Sequence, residues 1–104
     1  MDIEKLFQID LEDLLMEKEN ALFNLREEEL VLIKNQWLLK DLENKLLLET
    51  DFKELKLTND KLRSAFVDDK TKELKNKIDL IKNRIKVLKD SVELINNVIE
   101  FRKE

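Results

Sequence analysis

The sequence predicts an all-α protein: a long antiparallel helical hairpin, coiled-coil-like, with a short elbow helix, assembling into a helical bundle. Three observations predict this. Charged and hydrophobic residues each make up 42% of the 104 residues, and glycine and proline are absent, a composition typical of long amphipathic helices. Apolar residues in the second half recur at alternating gaps of four and three, and those in the first half form columns spaced by seven. At this length the chain forms one domain.

In chain order, the first element is a helix from about Ile3 to Glu49, about 70 Å long at 1.5 Å per residue. Ile9, Met16, Phe23, Leu30 and Trp37 form one column, and Leu11, Leu25, Leu32, Leu39 and Leu46 form another, broken by Lys18. Leu14, Leu15, Leu22 and Leu42 widen the stripe. An elbow over residues 50–58 comes next. There Thr58 is a candidate N-cap, Asp60 suits the positive end of the helix dipole, and Leu57 can staple on Leu62. Thr50 can likewise cap a single turn over Asp51 to Glu54.

After the elbow a short helix is expected over 59–67, out of phase with the seam that starts at Leu74, because "DDKTKE" (68–73) is wholly polar. Either the helix continues with a phase slip or it breaks near Asp68 and restarts on Asp68 or Asp69; a break or kink is expected. The last element is a long helix over about 69–103. Its seam places Ile78, Ile85, Val92 and Ile99 at a and Leu74, Ile81, Leu88 and Ile95 at d. Leu80, Val87, Leu94 and Phe101 add a column at c, and Val98 fills a g position.

Stripes of this width are too broad for one partner helix, so the hairpin is expected to self-associate, as a dimer forming a four-helix arrangement. The expected partner or self-interface residues are Phe23, Leu30, Trp37, Leu80, Val87, Leu94 and Phe101. For Trp37 burial in the core or in a self-interface is expected, and a lone tryptophan is also a frequent hot spot for a partner protein.

Residues 1–50 hold 13 acids and 6 bases, whereas residues 58–104 hold 9 acids and 12 bases. Two segments lying side by side would be matched by that asymmetry. Folding back at the elbow brings Glu27, Glu28 and Glu29 near Lys77, Lys82 and Arg84. The basic face of Lys72, Lys75, Lys82, Lys86 and Lys89 could also track a phosphate backbone, which makes a nucleic-acid-binding accessory factor the alternative reading. Asp79 within the patch, the net charge of −4 and the lack of interleaved aromatics weigh against it.

Catalysis is not expected. The chain has no histidine and no cysteine, and so lacks the usual general base, thiolate nucleophile and zinc ligands. Glu27, Glu28 and Glu29 point about 100° apart on a helix and do not converge on one cation. Asp68 and Asp69 are no better placed, and the Ser and Thr hydroxyls have no base nearby in sequence. No catalytic residue, cofactor or metal is therefore expected. The first ten residues carry acids where a signal peptide needs bases, and no window is apolar enough to span a membrane, so a cytoplasmic location is expected.

The elbow "TDFKELKLTNDKLRSAFV" resembles that of small all-helical proteins encoded by phages and prophages of Gram-positive bacteria. The positions that carry the resemblance are Asp51, Phe52, Lys53, Leu55, Leu57, Thr58, Asn59, Asp60, Arg63, Ala65 and Phe66; Lys56 stands where that pattern usually has glycine. The resemblance covers under a fifth of the chain. It implies a phage context and a bacterial host cytoplasm, and it implies no reaction; a host or phage protein is the expected partner. Asn59 and Arg63 are the elbow residues expected to make contact if it binds something; otherwise Asn59 and Asp60 start a helix and Arg63 pairs with a nearby acid.

Overall fold

The structure, a computed structural model, describes residues 3–103. They form three helices: α1 (Ile3–Gln8), α2 (Leu11–Glu49) and α3 (Asp60–Lys103). The two long helices pack against each other as a helical hairpin, and no strand occurs among the described residues. The chain divides into two compact units, each with part of both long helices. Unit 1 combines residues 1–31 with 81–104, and unit 2 spans residues 32–80.

Two element boundaries differ from expectation. The first helix is interrupted at Ile9 and Asp10, so α1 is a separate six-residue helix. The expected short helix over 59–67 and the break near Asp68 do not occur, because α3 runs without interruption from Asp60 to Lys103. The seam of α3 also extends back without a phase slip, through Leu74 to Thr71 and Val67 at the same alternating gaps of three and four. Thr71, in the middle of the polar run, occupies an a position with 0% exposure. Its Oγ1 donates to Val67 O at 2.8 Å, which satisfies the buried hydroxyl within its own helix.

On α2, beside half-buried Leu22, Glu29 and Glu43, one regular series of buried and half-buried residues comprises Leu14, Lys18, Ala21, Leu25 and Glu28 in unit 1, then Leu32, Asn35, Leu39, Leu42 and Leu46 in unit 2. They alternate at gaps of four and three, so α2 has its own heptad seam. The column of Leu25, Leu32, Leu39 and Leu46 belongs to it. The column of Met16, Phe23, Leu30 and Trp37 does not, since two residues along a helix is about 200° around it and places that column on the opposite face. The other half of the seam is Leu14, Ala21, Glu28, Asn35 and Leu42, where only Leu14 and Leu42 are large apolar residues.

Unit 1 has a core of Leu6, Leu14, Ala21, Ile95, Val98 and Ile99, with Ile9, Val92 and Leu94 packed against it. Phe7 meets Phe101 edge to face at a centroid distance of 5.4 Å. Arg84 Nε donates to Glu28 Oε2 at 3.3 Å, an ion pair between α3 and α2 that joins two residues of the expected acidic and basic groups.

The elbow in unit 2 makes its turn without glycine by placing Lys56 in the left-handed region, at φ 59°. Leu57 N–H donates to Phe52 O at 2.8 Å and Lys56 N–H to Lys53 O at 3.1 Å. These two bonds, six-to-one and five-to-two, are those of a Schellman closure, whose left-handed position glycine normally occupies. The single turn that it closes starts on Asp51, whose Oδ1 accepts from Glu54 N–H at 3.0 Å; the cap is Asp51, not Thr50. The cap of α3 is likewise Asn59, not Thr58: its Oδ1 accepts from Leu62 N–H at 2.9 Å. That places Leu62 at N3 and Arg63 at N4, and the expected Leu57 to Leu62 staple has no geometry to form.

Two substitutions at the elbow test these assignments, read as shifts in the urea midpoint. Lys56→Gly stabilises the fold by about 1 kcal/mol, because it removes the Cβ penalty of the left-handed conformation. Asn59→Ala destabilises it by about 1 kcal/mol through loss of the cap, while Thr58→Ala leaves the midpoint within about 0.5 kcal/mol.

Candidate functional site

The residues expected to form a partner surface are mostly on the outside. In unit 1, Phe23 and Leu30 are each 62% exposed, and Met16 on the same column of α2 is exposed as well. Val87 and Phe101 on α3 are exposed, and Leu94 of their column is half-buried against the core. In unit 2, Trp37 is 75% exposed, so the tryptophan is not part of a core within this chain, and Leu80 is exposed too. The reason is helical phase: seven-residue columns that do not coincide with the a and d seam project away from it.

Charge tracks the same phase on α3. In unit 1 its b and e positions carry Lys82, Lys86, Lys89, Glu93, Glu100 and Lys103, with Asn96 the one uncharged member. The c and f positions carry Asn83, Val87, Leu94, Asn97 and Phe101, with Asp90 the one charge. One outward flank is therefore strongly charged and the other is apolar and amide-rich. A charge-poor outward flank is unusual for a helix that meets only water.

The elbow gathers a second group. Arg63 Nε donates to Leu57 O at 3.1 Å, and its guanidinium lies 5.5 Å from the Phe52 ring centroid. Phe52 in turn meets Phe66 edge to face at 6.0 Å. Arg63 thus ties the turn to the first turns of α3 through a carbonyl and an aromatic face, rather than through a carboxylate as its sequence neighbours suggest. Beside it lies an open groove of about 500 Å³, lined by Leu47, Phe52, Ser64 and Val67 with Glu43, Asp60, Arg63 and Asp68. Asn59 caps α3 at the exposed end of the same turn.

The expected basic face is only partly available to an anion. Lys75 Nζ bonds Asp68 Oδ1 at 2.8 Å. That hydrogen bond holds the Lys75 ammonium above its ordinary pKa, against the opposing effect of desolvation, with the charges of Asp68 and Glu43 adding to it. Lys72, Lys82, Lys86 and Lys89 are exposed. Among the described residues no group of three or more His, Cys, Asp or Glu side chains is placed to hold a metal ion. No described helix is long and apolar enough to cross a membrane.

Sequence reasoning missed Thr71 and Asn35 as seam members. Asn35, 4% exposed on α2, and Thr71 are the buried polar residues among the described residues, and both lie in unit 2. The signal for both was available: each completes an alternation of three and four that the flanking leucines and isoleucines establish.

No protein-family model, no curated protein and no solved structure matches the chain.

Removing the Arg63 side chain tests its part in the elbow. Arg63→Ala lowers stability by about 1–2 kcal/mol in urea unfolding, from the lost carbonyl bond and ring contact. Arg63→Lys restores only part of it, because a single ammonium cannot both stack on Phe52 and reach Leu57 O as the planar guanidinium does.

Proposed function

We propose that this is a non-enzymatic, phage-type coiled-coil protein that acts by self-association and by binding a protein partner of the host or phage. The observation that carries the reading is the outward column on α2, with Phe23 and Leu30 at 62% exposure and Trp37 at 75%. Large apolar side chains at regular helical spacing on a solvent face are what an interface supplies and what a free surface avoids. The occupant of first choice is a second copy, as a dimer that brings four long helices together. The phage context and the bacterial cytoplasm rest on the elbow resemblance at Asp51–Phe66.

The non-enzymatic reading rests on the sequence, which offers neither histidine nor cysteine. The nucleic-acid alternative has less support from the side chains, since Lys75 of its basic face is held by Asp68. The two readings separate by salt. Apolar association persists in high salt, whereas phosphate binding weakens steeply.

Light scattering after size exclusion, at low and high salt, tests this reading. A salt-independent dimer is expected, and Phe23→Glu with Leu30→Glu converts it to a folded monomer. In the dimer Trp37 fluorescence shifts to the blue and becomes shielded from acrylamide relative to that variant. A wild-type monomer with a freely quenched Trp37 at all concentrations would sink the self-association reading.

A further inference from the structure

The one part of unit 1 joined to its body by a helix break is α1. At six residues it is too short to hold a helical conformation by itself, so its shape depends on what it touches. It touches the body through three identifiable contacts. Leu6, 3% exposed, enters the core beside Leu14, Ile95, Val98 and Ile99. Phe7 lies edge-on to Phe101. Arg102 Nη1, on the last turn of α3, donates to Leu6 O at 3.5 Å and also to Ile9 O.

The third contact has a particular chemistry. Leu6 O belongs to the last turn of α1 and Ile9 O lies just past its end, where the carbonyls have no helical partners and the helix dipole is negative. A guanidinium placed there satisfies two such groups at once and opposes the dipole with a full charge. Beyond it, Ile9 and Asp10 are outside any helix, and α2 starts with Leu14 N–H donating to Asp10 O at 2.9 Å. The bonds of α2 therefore do not depend on whether α1 is docked.

We propose that α1 is a strap latched by Arg102. It opens and recloses while the packing of α2 on α3 in unit 1 stays intact, and each opening uncovers the apolar cleft of Leu14, Ile95, Val98 and Ile99. The strap sets how much apolar surface this end of unit 1 presents at a given moment. Its size matches the small cooperative units by which proteins open locally, below the free energy of global unfolding. This inference is independent of the proposed self-association, since the contacts involved lie within one chain.

The absence of native cysteine allows a single-site test in the full chain. Thiol labelling is measured for Leu6→Cys and for Ile81→Cys, a buried position of unit 1 outside the α1 cluster, each with and without Arg102→Gln, across a range of sub-denaturing urea. The thiol at position 6 is expected to label at least about tenfold faster than that at 81, with little urea dependence. Arg102→Gln is expected to speed labelling at position 6 by a further factor of about ten and to leave position 81 unchanged.

Equal rates at the two positions, with the same urea dependence, mean that α1 opens only with the whole unit and overturn the proposal. An Arg102→Gln effect of equal size at both positions overturns the latch. If Leu6→Cys itself loosens the fold, hydrogen exchange of the Ile9 amide in the unmodified chain, which donates to Lys5 O at 3.2 Å, gives the same reading. Exchange there faster than at amides of the middle of α3 supports the strap, and exchange at the global rate overturns it.

Discussion

A helix packed along its length against another must present a side chain to the contact every three or four residues, whatever that side chain is. Most features of this protein derive from that constraint. On α3 the alternation is filled by isoleucine, leucine and valine and admits one polar residue, Thr71, which bonds its own backbone. On α2 the same alternation is filled by leucines interrupted by Lys18, Ala21, Glu28 and Asn35. Lys18 and Glu28 are half-buried, a degree of burial that long charged side chains tolerate by covering apolar surface with their stems. Glu28 also reaches Arg84.

The polar members have a consequence for specificity. An all-leucine seam fits several registers about equally well, whereas a buried asparagine or threonine accepts few neighbours. Unit 2 holds both Asn35 and Thr71, and it is also the unit that contains the elbow. Both buried polar interruptions of the seam thus fall in the unit that holds the turn, and the turn itself is defined by the Asp51 cap, the Lys56 conformation and the Asn59 cap. Arg63 connects these pieces through the Leu57 carbonyl and the Phe52 ring.

Polar residues inside are matched by apolar residues outside. Met16, Phe23, Leu30 and Trp37 occupy the positions of α2 farthest from its seam, where a solitary hairpin would carry charge. On α3 the charge-poor flank around Val87 and Phe101 makes the same departure, and the lysine-rich flank shows what an ordinary solvent face of this chain looks like. Departures from binary patterning mark places where something other than folding has chosen the residues.

By itself the sequence determined the helical class, the hairpin, the place of the elbow and the α3 seam from Leu74 onward. The reason is physical: composition and heptad spacing are local properties, and a run of large apolar residues at gaps of three and four has one way to be buried. It did not determine which α2 column faces inward, because Leu25 and Phe23 are equally apolar and their columns differ only in phase. Tertiary packing decided that, selecting the column whose companion is Leu14, Ala21, Glu28, Asn35 and Leu42, and so turned Phe23, Leu30 and Trp37 outward. Packing also carried α3 unbroken through its polar run, since a continuous helix needs only Thr71 at the contact, and it set α1 apart, with Leu6 in the core and Arg102 on the carbonyls of Leu6 and Ile9. The choice of Asn59 over Thr58 as cap was decided at the elbow, where the Schellman closure at Lys56 fixes how many residues remain before α3 can begin.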